Sequence, residues 1–451
     1  MKIAVIGAGY VGLVSGACLA EFGFDVFCVD QDARRVAELN AGRIPIHEAG
    51  LDLLIDANKR AGRLHFTMDL KAAVSQAEAV FIAVSTPTRR GDDAADLAYV
   101  HKAASQIAAA LDGYSVIITK STVPVGTARK LKEQIKNLRP DAEFDVAANP
   151  EFLREGSAVE DFLHPDRIVI GSESKRAQET LRKIYQPITM TGAPLIFTDF
   201  ESAELIKYAA NGYLAMRLAF VNQLADLCEK VGGDIAVVAK GIGHDKRIGH
   251  HYLQPGPGFG GSCFPKDTRA LAATAREAGA PFSVIEAVVG ANDKRKAALF
   301  QRVTNALGGE VSGKRIAILG LSFKAETDDL REAPAIDLIP ALTAARASIV
   351  AYDPVVRSNG NSAFAGIQWA ETAYEAVKGA EAVILLTEWN EFRGLDLVRL
   401  ARSMSEPVMI DLRNLYSITE IAKTCFTYHS LGRHVLRGVD GRQNVRKINV
   451  A

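Results

Sequence analysis

Cysteine is scarce in this chain, and its scarcity excludes a fold held together by disulfides. The 451 residues contain five cysteines, an odd number spread widely along the sequence, and none of them forms a CxxC pair. We therefore expect a reducing compartment. His, Cys and carboxylate residues show no metal-binding spacing either, so we predict no metal site. Four cysteines lie in apolar stretches, which indicates small buried side chains: Cys18, Cys28, Cys228 and Cys425.

Long apolar runs and an excess of one charge are also missing. No stretch approaches the roughly 18 apolar residues of a membrane span, and the first apolar run, at 3–6, is too short for a signal peptide. The chain has 53 basic and 53 acidic side chains, whereas nucleic-acid binders concentrate Lys and Arg. We therefore expect a cytoplasmic protein with no membrane and no nucleic-acid partner.

Apolar runs alternate with amphipathic stretches in the first part of the chain. This alternation predicts an α/β fold in which helices cover both faces of a parallel sheet. The segment 201–231 has helical spacing of its apolar residues, so we predict one long helix that ends at the glycines 232–233. The predicted strands are 3–6, 26–29, 79–84, 115–119 and 144–148.

The last part of the chain repeats the first. Residues 2–7, 26–30 and 77–80 are echoed, in the same order, by 315–320, 349–353 and 380–383. The repeat predicts two Rossmann-like doubly wound domains joined by a long central helix and a helical middle domain. Ligands of such sheets bind beyond the carboxyl ends of the strands. The predicted domains are 1–200, 201–307 and 308–451.

A glycine-rich motif, GAGYVG, follows the first strand and opens a helix. Gly7 permits the tight turn, Gly9 allows a pyrophosphate to approach the backbone, and Gly12 allows the helix to pack on the strand. Asp30 ends the next strand, where its carboxylate would bind the ribose and favour NAD over NADP. The arginines at 34–35 are close enough in sequence to keep NADP open.

A second glycine-rich segment, 256–267, contains one cysteine among small residues. Lys266 follows Cys263 by three residues, and we expect a helix to begin near Asp267. Both features would favour a thiolate. The local sequence leaves two interpretations open, a nucleophile and a merely buried thiol.

Polar residues on the long helix form another candidate group. Glu204, Lys207 and Asn211 share one helix face because they are spaced i, i+3 and i+7. They fit a solvated face with a Glu204–Lys207 ion pair, and they also fit a cation and an amide directed at an oxyanion.

Polar residues that follow two predicted strands are candidates as well. Thr122, Glu151 and Glu155 lie at these positions. They fit a ligand site, and they fit caps of the next helices equally well.

These motifs together resemble the nucleotide-sugar 6-dehydrogenases of the UDP-glucose/GDP-mannose dehydrogenase family. They occur in order through about the first 335 residues, and their combination is more specific than any single motif. The matching sequences are GAGYVG at 7–12, STPT at 85–88, STVPVG at 121–126, NPEFL at 149–153, GGSCFPKD at 260–267 and GLSFK at 320–324.

The resemblance implies a four-electron oxidation of a sugar C6 alcohol to a carboxylate with two NAD, and UDP-glucose and UDP-glucuronate are the expected substrate and product. Cys263 would form a thiohemiacetal and then a thioester, because acid formation needs a nucleophile that turns the aldehyde back into a hydride donor. Lys207 and Asn211 would stabilise the C6 oxyanion. The residues that would position or activate water are Thr122, Glu151 and Asp267.

The resemblance also implies the binding residues. Arg247 matches an arginine that family members donate to the neighbouring subunit's substrate, which implies a homodimer or a higher homo-oligomer. The second Rossmann-like half would hold the nucleotide diphosphate of the sugar. Around NAD the resemblance places Gly7, Gly9, Tyr10, Val11, Gly12, Asp30, Arg35, Thr86, Thr122, Glu155, Lys266 and Arg331. Around the substrate it places Glu151, Phe152, Leu153, Lys207, Asn211, Tyr252, Gly260 and Lys324.

Three other functions remain open at this point. GDP-mannose could replace UDP-glucose, since that subfamily shares the cysteine loop, the glycine-rich segment 256–267 around Cys263. A two-electron hydroxyacid dehydrogenase of the 6-phosphogluconate dehydrogenase type would have the same domain plan with an inert Cys263. A non-catalytic NAD-binding sensor would need only the first glycine motif.

Overall fold

Two eight-stranded sheets, each dominated by parallel pairs, organise the chain. The computed structural model describes residues 1–89, 91, 93–357, 360–438 and 446–447. The chain divides into two units, the first made of 1–211 and 269–282 and the second of 212–268 and 283–451. The predicted domain boundaries at 201 and 308 stay a prediction, and residues 358–359, 439–445 and 448–451 of the predicted third domain lie outside the described residues.

The first unit contains the sheet with strand order β3-β2-β1-β4-β5-β6-β7-β8. All its pairs are parallel except β6 with β7. Its strands are β1 (Lys2–Ile6), β2 (Asp25–Val29), β3 (Leu64–Thr67), β4 (Ala79–Ile82), β5 (Ser115–Thr119), β6 (Phe144–Ala148), β7 (Ile168–Gly171) and β8 (Leu195–Thr198). Its helices are α1 (Tyr10–Glu21), α2 (Ala33–Asn40), α3 (Leu51–Arg60), α4 (Leu70–Ser75), α5 (Ala98–Ala110), α6 (Thr127–Leu138), α7 (Ala158–Leu163) and α8 (Lys175–Thr189).

Helices occupy the part of the sequence between the strands of the first sheet and those of the second, from Phe200 to Ala306. The long helix α9 begins in the first unit and continues into the second after residue 211, and α11 passes from the second unit back to the first after residue 268. The helices of this part are α9 (Phe200–Val231), α10 (Ile235–Gly243), α11 (Phe264–Glu277), α12 (Ser283–Ala297) and α13 (Leu299–Ala306).

The second unit contains the sheet with strand order β11-β10-β9-β12-β13-β14-β15-β16. Its strands are β9 (Arg315–Leu319), β10 (Ser348–Tyr352), β11 (Gln368–Trp369), β12 (Ala382–Leu385), β13 (Val408–Asp411), β14 (Thr427–Ser430), β15 (Leu436–Arg437) and β16 (Arg446–Lys447). Its further helices are α14 (Pro334–Ala344), α15 (Ala373–Val377), α16 (Asn390–Arg393), α17 (Leu397–Ser403) and α18 (Ile418–Ile421).

The central strand of each sheet is buried on both faces. Along β1, Ile3 and Val5 pack into one apolar cluster, and the alternate residues Ala4 and Ile6 pack into another. Successive side chains of a strand point to opposite faces, so a continuous apolar strand needs helices on both sides of the sheet. The alternating residues of β9 contribute to two clusters in the same way. The predicted α/β fold with two Rossmann-like sheets is thus confirmed.

Most predicted elements agree with the structure, and the differences have simple causes. The long helix predicted over 201–231 is α9, Phe200–Val231. The strand predicted at 79–84 ends earlier, at Ile82. The strands β3, β7 and β8 of the first sheet were not predicted; each is only four residues long, with at most three consecutive apolar residues. Within the described part of the chain, no helix combines the length and the apolar character that crossing a membrane requires.

Candidate active site

The GAGYVG motif forms the turn between β1 and α1. Gly7 has φ +104°, and a Cβ built on it would lie 2.7 Å from the carbonyl oxygen of Ala83. A Cβ on Gly12 would overlap the carbonyl oxygen of Gly7, so both positions require glycine. No described protein atom lies within 4 Å of a Cβ built on Gly9. The backbone is therefore open at the position where a pyrophosphate would approach the N-terminus of α1.

Asp30 lies directly after β2 and faces this turn. Its carboxylate accepts hydrogen bonds from the backbone N–H of Ala8 at 2.8 Å and of Asp32 at 3.0 Å. Arg35 donates to the same carboxylate at 3.0 Å. The carboxylate is thus fixed at the edge of the glycine turn, the geometry that a dinucleotide ribose requires, and the residues present fit NAD.

Glu151 and Lys207 form a buried ion pair in the first unit. The Lys207 ammonium lies 3.1 Å from the Glu151 carboxylate, and the side chains are 3% and 6% exposed respectively. The backbone N–H of Leu153 also donates to Glu151, at 2.5 Å. The Lys207 ammonium lies 5.4 Å from the ring centroid of Phe152. Glu151 and Lys207 are therefore brought together with the apolar part of the NPEFL motif.

The polar face of α9 is buried, so its interpretation as a solvated face is wrong. Glu204, Lys207 and Asn211 are all buried, and Lys207 pairs with Glu151. The Glu204 carboxylate instead accepts from the backbone N–H groups of Gly126 at 2.6 Å and Ala128 at 2.7 Å, at the N-terminus of α6. Burial raises the pKa of Glu204 to about 7, and the backbone hydrogen bonds act in the opposite direction.

Carboxylates from other parts of the chain bind the N-termini of the helices that follow these strand ends. Thr86 donates its hydroxyl to the carbonyl oxygen of Thr122 at 2.9 Å, and both residues are buried. Glu204 caps α6, and Glu48 accepts from the backbone of Gly156 and of Ala158 at 2.7 Å each, at the start of α7.

Three further predicted residues lie near these contacts. The Tyr10 hydroxyl hydrogen-bonds to Glu48 and accepts from Gly156 N–H at 3.0 Å. Glu155 is buried, and Val11 is partly buried.

Lys120 is a buried charged residue that the sequence patterns did not single out. Its ammonium donates to Asn149 at 3.1 Å and to the Tyr185 hydroxyl at 3.2 Å. Burial lowers the pKa of Lys120 to about 8, and the charge of Lys207 lowers it further while Glu151 acts in the opposite direction. Its place in the KSTVPVG stretch after β5 was the only signal in the sequence.

Cys263 lies at the N-terminus of α11 in the second unit. The helix begins at Phe264, three residues before the predicted start at Asp267, and the Cys263 carbonyl accepts from Asp267 N–H at 2.8 Å. The amide groups at a helix N-terminus stabilise negative charge, so this position favours a thiolate. Lys266 donates to the buried Asp267 carboxylate at 2.6 Å. Cys263 is partly exposed, unlike the buried thiols.

The remaining cysteines follow the prediction with one exception. Cys18, Cys28 and Cys228 are buried, and burial raises the thiol pKa of each. Cys425 is exposed, so its predicted burial is wrong: it lies in the turn after α18, where only its neighbours face the core. No disulfide joins the five cysteines, all of which lie in the described part of the chain.

The other predicted residues of the second unit lie around the cysteine loop or on the surface of that unit. A Cβ on Gly260 would overlap the carbonyl oxygen of Glu332, and the Tyr252 ring lies 6.2 Å from that of Phe264. The Lys324 ammonium lies 5.7 Å from the centroid of its neighbour Phe323. Two predicted arginines are well exposed and paired to nearby carboxylates, Arg247 to Asp245 and Arg331 to Asp329.

The glycine turn of the second sheet differs from that of the first. Asp353 occupies the position that Asp30 has in the first sheet, but it is fully buried. Its carboxylate accepts from Leu321 N–H at 2.7 Å and from the Trp389 indole at 3.2 Å. A Cβ on Gly320 would overlap the Thr387 side chain. Gly320 is therefore closely packed, as Gly7 is in the first sheet.

A dinucleotide turn on one Rossmann-like sheet, with a cysteine at a helix N-terminus in the second unit, is typical of an NAD-dependent dehydrogenase. Profiles of the UDP-glucose/GDP-mannose dehydrogenase family match this chain in order: the NAD binding domain over 1–189, the central domain over 201–294 and the UDP binding domain over 317–418. The chain belongs to the UDP-glucose/GDP-mannose dehydrogenase family, and it is an NAD-dependent enzyme.

Relatives and a solved structure align along nearly the whole chain. A UDP-glucose 6-dehydrogenase of Rhizobium meliloti is 52% identical over 96% of this chain and 100% of its own length. One from Bacillus subtilis is 45% identical over 97% of this chain and 95% of its own. The structure of a UDP-glucose dehydrogenase from Pyrobaculum islandicum superposes with a TM-score of 0.87 at 34% identity, over 95% of this chain and 96% of that one.

Proposed function

We propose that this enzyme oxidises UDP-glucose at C6 to UDP-glucuronate through a covalent intermediate on Cys263. The observation that carries the proposal is the position of Cys263, a partly exposed thiol at the N-terminus of α11 within a loop of glycines. The 52% identity to a UDP-glucose 6-dehydrogenase supports the choice of sugar nucleotide. The UDP binding profile over 317–418 supports the choice of base.

The proposed reaction removes four electrons from C6. NAD, when bound, accepts one hydride from C6 in each of two oxidations. The first oxidation converts the alcohol to an aldehyde, and the Cys263 thiolate adds to the aldehyde carbon to give a thiohemiacetal. The second oxidation converts this thiohemiacetal to a thioester. Water then attacks the thioester carbonyl, the carbon–sulfur bond breaks, and the carboxylate product leaves a restored thiol.

The buried polar residues of the first unit take the proton and charge roles in this proposal. Lys207 and Asn211 stabilise the oxygen anion that develops on C6, since a buried ammonium and amide act in a medium of low dielectric. Glu151, whose carboxylate is 3.1 Å from Lys207, acts as base or activates water. Thr122 and Asp267 position that water.

In this proposal, the other residues that the family resemblance indicated bind NAD and UDP-glucose. The glycine turn and Asp30 hold the adenosine diphosphate part of NAD, and Arg35 keeps the Asp30 carboxylate in place. The proposed further NAD contacts are Tyr10, Val11, Thr86, Thr122, Glu155, Lys266 and Arg331. The proposed further UDP-glucose contacts are Phe152, Leu153, Tyr252, Gly260 and Lys324.

We also propose that the enzyme is a homo-oligomer in which Arg247 reaches the neighbouring subunit's substrate. Large apolar side chains remain exposed on α9, among them Phe220 at 55%. Arg217 on the same helix donates to the carbonyl oxygens of Ile248 at 2.7 Å and Gly249 at 3.1 Å. These bonds tie the segment that carries Arg247 to the helix with the exposed apolar side chains.

The count of NADH formed per limiting sugar nucleotide tests the proposal. We expect two NADH for each UDP-glucose and little turnover of GDP-mannose or UDP-N-acetylmannosamine, measured by NADH absorbance. The Cys263→Ser variant should lose steady turnover, while the matched variant Cys425→Ser, at the other exposed thiol, keeps it. One NADH per sugar with an active Cys263→Ser variant would contradict the covalent mechanism. Preference for GDP-mannose would contradict the choice of substrate.

A further inference from the structure

Asn292 on α12 holds the main chain of the cysteine loop on one side. Its amide oxygen accepts from Phe259 N–H at 2.8 Å, and its amide nitrogen donates to the Phe259 carbonyl at 3.1 Å. The side chain is buried, with 5% exposed. One side chain therefore satisfies both polar main-chain groups of a buried loop residue that lies four positions before Cys263.

Two further side chains hold the beginning of the same loop. Asn222 on α9 accepts from Gly256 N–H at 2.8 Å, and Arg295 on α12 donates to the Gly256 carbonyl at 2.6 Å. Arg295 also donates to the Asn222 carbonyl at 3.3 Å and pairs with Asp226 at 3.0 Å. Side chains of two helices thus bind both polar groups of a second loop residue.

The chain at 331–332 also contacts the loop. The N–H of Gly261 donates to the Arg331 carbonyl at 2.8 Å. A Cβ on Gly261 would lie 2.7 Å from the Phe323 ring, and a Cβ on Gly258 would lie 3.1 Å from the Asn292 amide oxygen. This close approach leaves the loop little room to shift, so its path to Cys263 depends on the residues that bind its main chain.

We propose that Asn292 and Asn222 are positioning residues that fix the sulfur of Cys263 for capture of the C6 aldehyde. The proposal rests on the covalent function proposed above. Capture requires the sulfur within a few tenths of an ångström of its productive place, whereas the first oxidation needs no sulfur. Loss of the Asn292 amide leaves two buried main-chain groups unsatisfied and frees the loop to move. The aldehyde then escapes before it is captured.

The first experiment compares Asn292→Ala with the wild type in the presence of hydrazine, which traps free aldehyde. We expect the kcat for UDP-glucuronate formation to fall at least about tenfold with the KM for UDP-glucose within about twofold. The NADH yield should fall below two per sugar, and the hydrazone of the sugar aldehyde should appear by mass spectrometry. The matched control is Asn305→Ala, which removes an exposed amide on α13 that pairs with Gln301, and it should behave as wild type.

The second experiment measures the reactivity of Cys263 in the absence of substrate. The rate of iodoacetamide labelling of Cys263, followed on its own peptide by mass spectrometry, should change at least about threefold in Asn292→Ala, and less in Asn222→Ala, whose contact at Gly256 is farther from Cys263 along the chain. Exposed Cys425 serves as an internal standard. Wild-type labelling together with a full yield of two NADH in the folded Asn292→Ala variant would overturn the proposal.

The two experiments separate this inference from the proposed function. A wild-type enzyme that forms one NADH per sugar contradicts the function, whatever the loop variants do. A wild-type enzyme that forms two, with variants that do the same, contradicts the inference alone. Should Asn292→Ala fail to fold by circular dichroism, Asn222→Ala carries both readouts and is expected to show a smaller loss in the same direction.

Discussion

Buried ionisable residues cluster at the carboxyl ends of β5 and β6. Lys120 and Lys207 are both buried, and the Glu151 carboxylate pairs with Lys207. A buried charge is costly unless it is paired, and the Lys120 ammonium donates to two neutral oxygen atoms, those of Asn149 and Tyr185. The cluster is therefore costly for folding, a common property of a site built for chemistry.

Lys120 should make the stability of the protein rise with pH. Its folded-state pKa is about 8, below the value of about 10.4 for an unfolded lysine. Between these values the unfolded chain still holds a proton that the folded chain has lost, so the free energy of unfolding increases with pH. We expect this slope, at most about 1.4 kcal/mol per pH unit, to disappear in Lys120→Met.

Denaturant unfolding at a series of pH values checks the role of Lys120. The free energy of unfolding of the wild type minus that of Lys120→Met should rise with pH above about pH 8 and stay constant below it. Lys183→Met on α8 is the matched control, because Lys183 is exposed. A constant difference through the alkaline range would show that folding does not lower the pKa of Lys120.

Local sequence predicts helix positions well but places their ends less accurately. The periodicity of α9 predicted its C-terminus at Val231, where two glycines follow. The start of α11 was predicted three residues late. Pro265 suggests a break in the chain, yet proline is well accommodated in the first turn, where its missing N–H is not needed. The earlier start brings the helix N-terminus to Cys263 itself.

The element β1–turn–α1 allows a test that separates ligand binding from folding. Gly9 has φ −79°, which alanine adopts readily, and a Cβ there would meet no described protein atom within 4 Å. We expect Gly9→Ala to fold with at most about 1 kcal/mol lost, the cost of alanine at a helix N-cap. The NAD Kd should rise at least about tenfold, because the new methyl group lies where the pyrophosphate approaches.

Calorimetric titration with NAD and thermal unfolding measure the two effects of Gly9→Ala separately. Gly290→Ala is the matched control, since Gly290 lies inside α12 with nothing within 4 Å of its Cβ position. That variant should bind NAD normally and gain roughly 0.5–1 kcal/mol of stability. Normal NAD affinity in Gly9→Ala would mean that the dinucleotide does not use this turn.

At the scale of the whole chain, the internal repeat predicted the two sheets correctly. Ile3 pairs with Val26 in the first sheet, and the echoing Ile316 pairs with Ile349 in the second. The sequence also indicated Glu151 and Lys207 as site residues. Their pairing could not be predicted, because helical spacing does not reveal a partner that lies 56 positions away in the chain. The burial of Lys120 and the loop contacts of Asn292 depend on tertiary packing in the same way.

The exposed apolar side chains of α9 predict that the molecule self-associates. Tyr213, Phe220 and Leu227 are 54%, 55% and 53% exposed, and their spacing of seven residues places them in one stripe along the helix. A stripe of this kind on a long helix is suited to pack against its own copy across a two-fold axis. We therefore expect the double variant Phe220→Glu/Leu227→Glu to sediment as a monomer, because like charges would face each other in a dry interface.

Loss of the dimer should also lower activity, because Arg247 could no longer reach the partner's substrate. Analytical ultracentrifugation and the KM for UDP-glucose together test this expectation: we expect a monomer whose KM is raised at least about tenfold. Leu53→Glu, a charge placed at an isolated apolar residue that is 73% exposed on α3, should leave the assembly and the activity unchanged. A dimeric double variant would show that the stripe on α9 is not the interface. A fully active monomer would show that each subunit completes its own site, with Arg247 outside it.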